Sequence, residues 1–167
     1  MVSAIQRWNV PDSTAGLYTI AMLVGQTLGY ISLGLLADRF GHKLSLELSI
    51  LATTFGYALT WLAPTSEWYF VAFILFGIGS TASVGSAMLV VMEFCEPARR
   101  PTYVGIANTG VGMVAIVAPL IGAALASAGY NWLFAVCVAI DAAALILMRW
   151  WVREPRWHAD VRSQNAE

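Results

Sequence analysis

GLLADRFGHK, residues 34–43, sits between two long apolar runs and places four polar or charged residues within six positions. Gly34 is followed by small or apolar residues, then Asp38 and Arg39, a second glycine at 41, and His42 and Lys43. Very few residues join the flanking runs, so the stretch reads as a tight turn. Gly34 admits a close backbone approach near the end of the first run, and Gly41 admits a bend that a side chain would hinder. Asp38 is placed where a carboxylate can meet the positive N-terminus of another helix or a nearby arginine. Arg39 and Lys43 hold the turn at one membrane face, where they can contact anionic headgroups.

The medium follows from composition. The chain has 167 residues, 59% hydrophobic and 11% charged, with a mean hydropathy of +0.69. Soluble domains average about 45–50% apolar and about 25% charged residues, so too little polar surface is available to face water. The deficit runs along the whole chain, which implies a polytopic membrane protein rather than one anchored by a single helix. The net charge of −1 gives no sign of a nucleic-acid partner. Cys95 and Cys137 form no CxxC pair and read as packing residues. MVSAIQRWNVPDS lacks the apolar core of a cleavable signal peptide.

A bilayer-spanning helix needs about 20 mostly apolar residues. Five such stretches are expected, at 13–36, 44–63, 67–93, 102–128 and 132–152, in an all-α membrane bundle. Residues 1–12 read as an outer loop and 153–167 as a polar cytoplasmic tail. Pro11, Pro64, Pro97, Pro101 and Pro155 fall at or outside the ends, where a missing N–H costs little. Only Pro119 lies inside a span. Trp61, Trp68, Trp132, Trp150 and Trp151 mark span ends, at the headgroup level that indole rings favour.

Basic residues orient the bundle. Of nine lysines and arginines, Arg39, Lys43, Arg99, Arg100, Arg149, Arg153, Arg156 and Arg162 fall on one side and Arg7 alone on the other. The positive-inside rule makes the first side cytoplasmic. The C-terminus is then cytoplasmic and the N-terminus outside, and the expected location is the plasma (inner) membrane. An outside start ahead of the first span suggests delivery by upstream helices, so the chain reads as the tail of a longer protein.

At this point GLLADRFGHKLSL resembles the signature loop of the major facilitator superfamily of secondary transporters, G-x-L-A-D-R-x-G-R-K-x-x-L. Gly34, Leu36, Ala37, Asp38, Arg39, Gly41, Lys43 and Leu46 match, and His42 replaces the usual arginine. The resemblance implies a conformational latch, built of Gly34, Asp38, Arg39, Gly41, His42 and Lys43. Asp38 would contact the other half of the transporter at the cytoplasmic side, with Gly34 permitting the helix contact. The loop occurs in that family between the second and third helices and again between the eighth and ninth. The span WYFVAFILFGIGS lacks the arginine of an Arg-x-x-x-x-Gly pattern common on the fourth helix, and the chain closes on a short polar tail. Gly105, Val114, Ala118, Pro119 and Gly122 follow the glycine-proline pattern of the antiporters' fifth helix, but many eleventh helices carry an APLIG-like segment too. The expectation is helices eight to twelve, with the N-terminal half absent.

Ionisable residues within a span cost about 2.5–3.5 kcal/mol on insertion scales, so each is a functional candidate. Glu93, Glu96, Arg99 and Arg100 are expected to form a charge cluster beside Asp38 at the cytoplasmic gate. Asp141, mid-span, is expected to be a structural carboxyl, protonated or paired, with proton coupling as the alternative. A solute path is expected along Gln26, Tyr30 and Asn108. Gln26 and Tyr30 lie one turn apart and share a face with Gly34. The competing reading for these polar residues, and for Ser80, Thr81, Ser83 and Ser86, is interhelical hydrogen bonding. Gly25 and Gly29 form a small-xxx-small packing pair.

No catalytic constellation, metal site or cofactor motif is present in the sequence. The expected function is a part of a secondary active transporter, moving a small molecule or ion across the lipid bilayer by alternating access. The alternatives are a non-transporting membrane subunit and an inactive truncated fragment. Crosslinking or co-purification with an upstream-encoded six-helix protein separates the transporter from the subunit, and saturable, gradient-dependent uptake by this chain alone would overturn the fragment reading.

Overall fold

The computed structural model describes residues 2–93 and 97–152, the side chains of 12, 82–90, 93 and 97 excepted. Every regular element among the described residues is helical: α1 (Val2–Trp8), α2 (Asp12–Phe40), α3 (His42–Leu62), α4 (Trp68–Glu93), α5 (Arg100–Ala128) and α6 (Tyr130–Trp151). A 3₁₀ turn, Pro97–Arg99, leads into α5. The long helices begin and end within a few residues of the stretches expected from the apolar runs. Residues 1–12, expected as an outer loop, carry the seven-residue helix α1.

Local chemistry sets these limits. Pro11 precedes α2 in an extended conformation, and Pro101 falls in the first turn of α5, where its missing N–H breaks no helical bond. Gly41 alone separates α2 from α3. Its φ of 99° and ψ of 157° lie in a region open essentially to glycine, and its N–H closes α2 by donating to Ala37 O at 3.0 Å. Gly129 ends α5 in the same way, at φ 136°. Trp61, Trp68, Trp132, Trp150 and Trp151 all stand exposed near helix ends.

Three helices are long and apolar enough to cross a membrane among the described residues: Ser13–Phe40, Arg100–Ala128 and Tyr130–Trp151. Trp68–Thr81 is a shorter apolar helical stretch. α3 is more polar, with hydroxyls at Ser45, Ser49, Thr53, Thr54 and Thr60. These are satisfied locally. Ser49 donates to Leu46 O, Thr53 and Thr54 to Ile50 O, and Thr60 to Gly56 O, at 2.7–2.9 Å. Ser45 instead reaches across to Leu33 O at 3.1 Å, tying the start of α3 to α2.

α4 is the centre of the bundle, packed between α2 and α3, with α6 against the far side of α3. Glycine makes the α2–α4 crossing possible. A methyl at Gly25 would collide with the Ile74 backbone, and one at Gly77 with Met22 O and, at 2.8 Å, with Gln26 N. The Gly25–Gly29 pair is therefore a packing seam, with the Ile74 backbone against Gly25 and the Thr81 side chain and Ile78 Cα against Gly29. Near the α2–α3 turn, Leu33 and Leu46 are buried with Leu36, Leu48, Ile78 and Met148 around them. Toward the opposite end of the bundle, Ala4, Tyr18 and Tyr69 form a second core with Trp8, Phe70 and Phe73. α5 is different. It touches α6 and α4 lightly and buries none of its residues.

Candidate functional site

The α2–α3 turn forms from residues whose local roles are distinct. Ala37 is buried and supplies the carbonyl that Gly41 closes on. Asp38 and Arg39, one residue further round the helix, are exposed. Arg39 lies over the Phe40 ring, 5.4 Å from its centroid. His42 and Lys43 open α3. Gly34 faces open space: among the described residues, nothing beyond its own stretch of helix lies within 4 Å of where its Cβ would be. Gly34 and Asp38 are both exposed on α2, in contrast to the row Gly25, Gly29, Leu33 and Ala37 that packs inward.

Beside the turn lies an ion-pair network that the sequence reading did not anticipate. Glu47 Oε1 is 3.5 Å from Lys43 Nζ, one helical turn earlier, and Glu47 Oε2 is 3.6 Å from Arg149 Nη1 on α6. The carboxylate is nearly enclosed while Arg149 is mostly exposed. The Lys43–Glu47 spacing was a legible signal. Arg149 lies too far along the chain for any local pattern to reveal it. Of the expected cluster, Arg99 and Arg100 are exposed at the start of α5. The Glu93 side chain and Glu96 lie outside the described residues.

The expected solute path is divided. Gln26 turns toward α4 and donates from Nε2 to Ser80 Oγ at 3.1 Å; Ser80 in turn donates to Gly77 O at 2.8 Å. Tyr30 is 59% exposed. Asn108 is exposed on α5, where Thr102, Gly105, Ile106, Thr109, Gly110 and Met113 line a shallow, mostly apolar groove. Among the described residues these three side chains converge on no common point. Asp141 is half-buried on α6, in the seam with α3, close to Thr53 and Tyr57. Its Oδ2 is buried without a hydrogen-bond partner. Cys137 lies one turn away as a half-buried free thiol. No group of described His, Cys, Asp and Glu residues could hold a metal ion.

Comparison with known proteins fits this arrangement. Solute carrier family 22 member 2 of Homo sapiens is 30% identical over 152 residues, covering 90% of this chain and 27% of that protein. Multidrug resistance protein 3 of Bacillus subtilis is 25% identical over 142 residues, covering 84% of this chain and 27% of that protein. An MFS thioclapurine efflux transporter of Claviceps purpurea is 26% identical over 141 residues, covering 84% and 26%. The chain therefore spans roughly a quarter of the length of these relatives. No solved structure matches. The sequence model of the Major Facilitator Superfamily matches residues 1–166. With helices joined by GLLADRFGHK through a single glycine, this chain belongs to the Major Facilitator Superfamily.

Proposed function

We propose that the chain supplies helices eight to twelve of a secondary active transporter that moves a small solute by alternating access. α2 to α6 are the five membrane crossings in this reading, with α1 on the outer side and the α2–α3 turn on the cytoplasmic side. The observation that carries it is α5. It is 29 residues of mostly apolar sequence with an asparagine in its first third, and none of it is buried within the chain. Alternating access requires a second bundle facing such a surface, and the absent N-terminal half is the partner of this reading. Relatives named for drug resistance and efflux support a small organic solute.

Roles for individual residues follow from which side they face. The exposed Asp38 and Gly34, the latter with open space at its Cβ position, form the latch toward the partner half, with Arg39, Gly41, His42 and Lys43 shaping the turn. Tyr30 and Asn108 face open space and belong to the solute path. Gln26 serves the α2–α4 seam through Ser80. Asp141 belongs to the α3–α6 seam, away from both open faces, and acts there as a structural carboxyl.

The test is flux. Inverted membrane vesicles containing the whole transporter should accumulate ethidium, a drug-like dye, when a proton gradient is imposed, and release it when the gradient collapses. Vesicles with this chain alone should show none. Gradient-dependent accumulation by the chain alone would overturn the two-half reading. Orientation is checked separately with a cysteine-free background carrying Phe40→Cys or Glu67→Cys. An impermeant maleimide applied to intact cells should label position 67 and spare position 40.

A further inference from the structure

The outer ends of the helices carry a polar junction that neither the latch nor the solute path uses. α1 is too short to hold its shape in water by itself, yet Ser3 and Ala4 are buried. Its side chains reach three different helices. Ser3 Oγ lies 3.1 Å from Tyr69 Oη of α4, and Trp8 meets the Tyr69 ring edge-on at 5.3 Å between centroids. Arg7 Nη1 donates to Thr60 O and Trp61 O of α3 at 3.5 and 3.4 Å, and Nη2 donates to Asn131 Oδ1 of α6 at 3.0 Å.

The chemistry of arginine suits this position. The last carbonyls of a helix have no partner within the helix and carry its negative dipole end. α3 has no basic residue in its own last turn. A planar guanidinium with five N–H donors can serve two carbonyls on one edge and an amide oxygen on another. A lysine could point at one of these acceptors but could not span α3 and α6 in the same fixed geometry. At the inner end the same two helices are joined again, by Arg149 on α6 and Glu47 on α3. The α3–α6 seam is therefore held by one arginine at each end. α5 has no comparable tie: its described side-chain hydrogen bonds, from Thr109 and Ser127, go to its own backbone.

We infer that α1 is an outer clasp and Arg7 its positioning residue, keeping α3 and α6 at one separation while the rest of the transporter changes state. The clasp rests on the transporter reading only for that last clause; the closure of the seam stands without it.

Electron-spin distance measurements on the protein in lipid nanodiscs test this, with native cysteines replaced by serine. Labels at Leu62 and Trp132, both exposed at the outer ends, report the clasp. Labels at Leu51 and Leu147 report the inner half of the same seam. The parent protein should give one narrow outer distance at pH 5.5 and at pH 8. Arg7→Gln should lengthen and broaden the outer distance and leave the inner one unchanged, with Arg7→Lys intermediate. Asn131→Ala should broaden the outer distance in the same way while Arg7 stays on the α3 carbonyls. General loosening of the fold would move both pairs and would overturn the assignment. So would an unchanged outer distance in Arg7→Gln, or in Asn131→Ala should the arginine variant not fold. Two outer distances in the parent protein would refute a fixed seam. A protein that proves not to transport can still give every expected distance, so the two readings fail separately.

Discussion

Replacing Gly25 with alanine should destabilise the centre of this bundle, and the structure sets the size of the effect. The added methyl would overlap the Ile74 carbonyl oxygen and lie 2.9 Å from both the carbonyl carbon and Cα of that residue. Carbon atoms rest at about 3.5–4.0 Å, so α2 and α4 must part by about 0.6 Å or more. The obstacle is backbone, and no rotamer change relieves it. Overpacking of a close-packed interior costs about 1–3 kcal/mol, and a rigid obstacle places Gly25→Ala at the upper end. Parting the helices also lengthens the Gln26–Ser80 hydrogen bond from 3.1 Å, worth about 1 kcal/mol. The sum is about 3–4 kcal/mol. At about 2–4 °C per kcal/mol for a chain of this size, Tm should fall by about 6–16 °C. Gly34→Ala is the control, because nothing lies within 4 Å of its methyl, and glycine in a helix interior is itself less stable than alanine by about 0.5–1 kcal/mol. Its Tm should hold or rise. Thermal unfolding in detergent micelles, followed by far-UV circular dichroism, measures both. A Gly25→Ala protein within about 2 °C of the parent, or a Gly34→Ala protein that falls as far, would refute the packing argument.

Gly41→Ala should lower stability by about 1–3 kcal/mol, because alanine does not tolerate a φ of 99° with a ψ of 157°; an unchanged unfolding midpoint would show that the turn relaxes freely. Glu47→Gln should cost about 1–2 kcal/mol by leaving Lys43 and Arg149 without their shared carboxylate. High salt should narrow its difference from the parent, since Arg149 is exposed, and a salt-independent difference would argue against an ion pair. Asp38→Asn in the complete transporter should cut turnover more than abundance. Collapse of abundance with normal turnover per molecule, read by quantitative immunoblot beside vesicle flux, would make Asp38 a folding residue.

The features readable from sequence are those that depend on neighbours within a turn or two. Gly41 stands alone between two apolar runs and must bend; Gly25 and Gly29 share a helical row with Leu33 and Ala37 and pack inward. Apolar length and flanking prolines place the helix ends to within a few residues. Contacts between distant segments were not readable. Nothing near Arg7 points to Thr60, Trp61 or Asn131, and nothing near Glu47 points to Arg149. The short helix α1 escaped notice for the same reason, since its order derives from tertiary burial of Ser3 and Ala4 rather than from its own propensity. Gln26 shows the limit of periodicity. Its row, with Tyr30 and Gly34, lies about 100° from the packed row, a flank from which a long amide can turn either outward or toward Ser80. Helical spacing cannot choose between them.

The unequal packing of the helices has a physical meaning in lipid. Lipid tails are as apolar as leucine, so apolar side chains alone do not drive helices together; close backbone contact and polar bonds do. α2 and α4 have both, through Gly25, Gly77 and the Gln26–Ser80 bond. α3 and α6 have the Arg149–Glu47 pair and the shared hold of Arg7. α5 carries the same kinds of residue, with glycines at 105, 110, 112 and 122, yet among the described residues none of these four has a neighbour outside its own stretch of helix within 4 Å of its Cβ position. Small residues and an asparagine gain nothing against hydrocarbon. Their presence on a helix that buries no residue here suits the contact with a second bundle that the proposed transporter reading calls for.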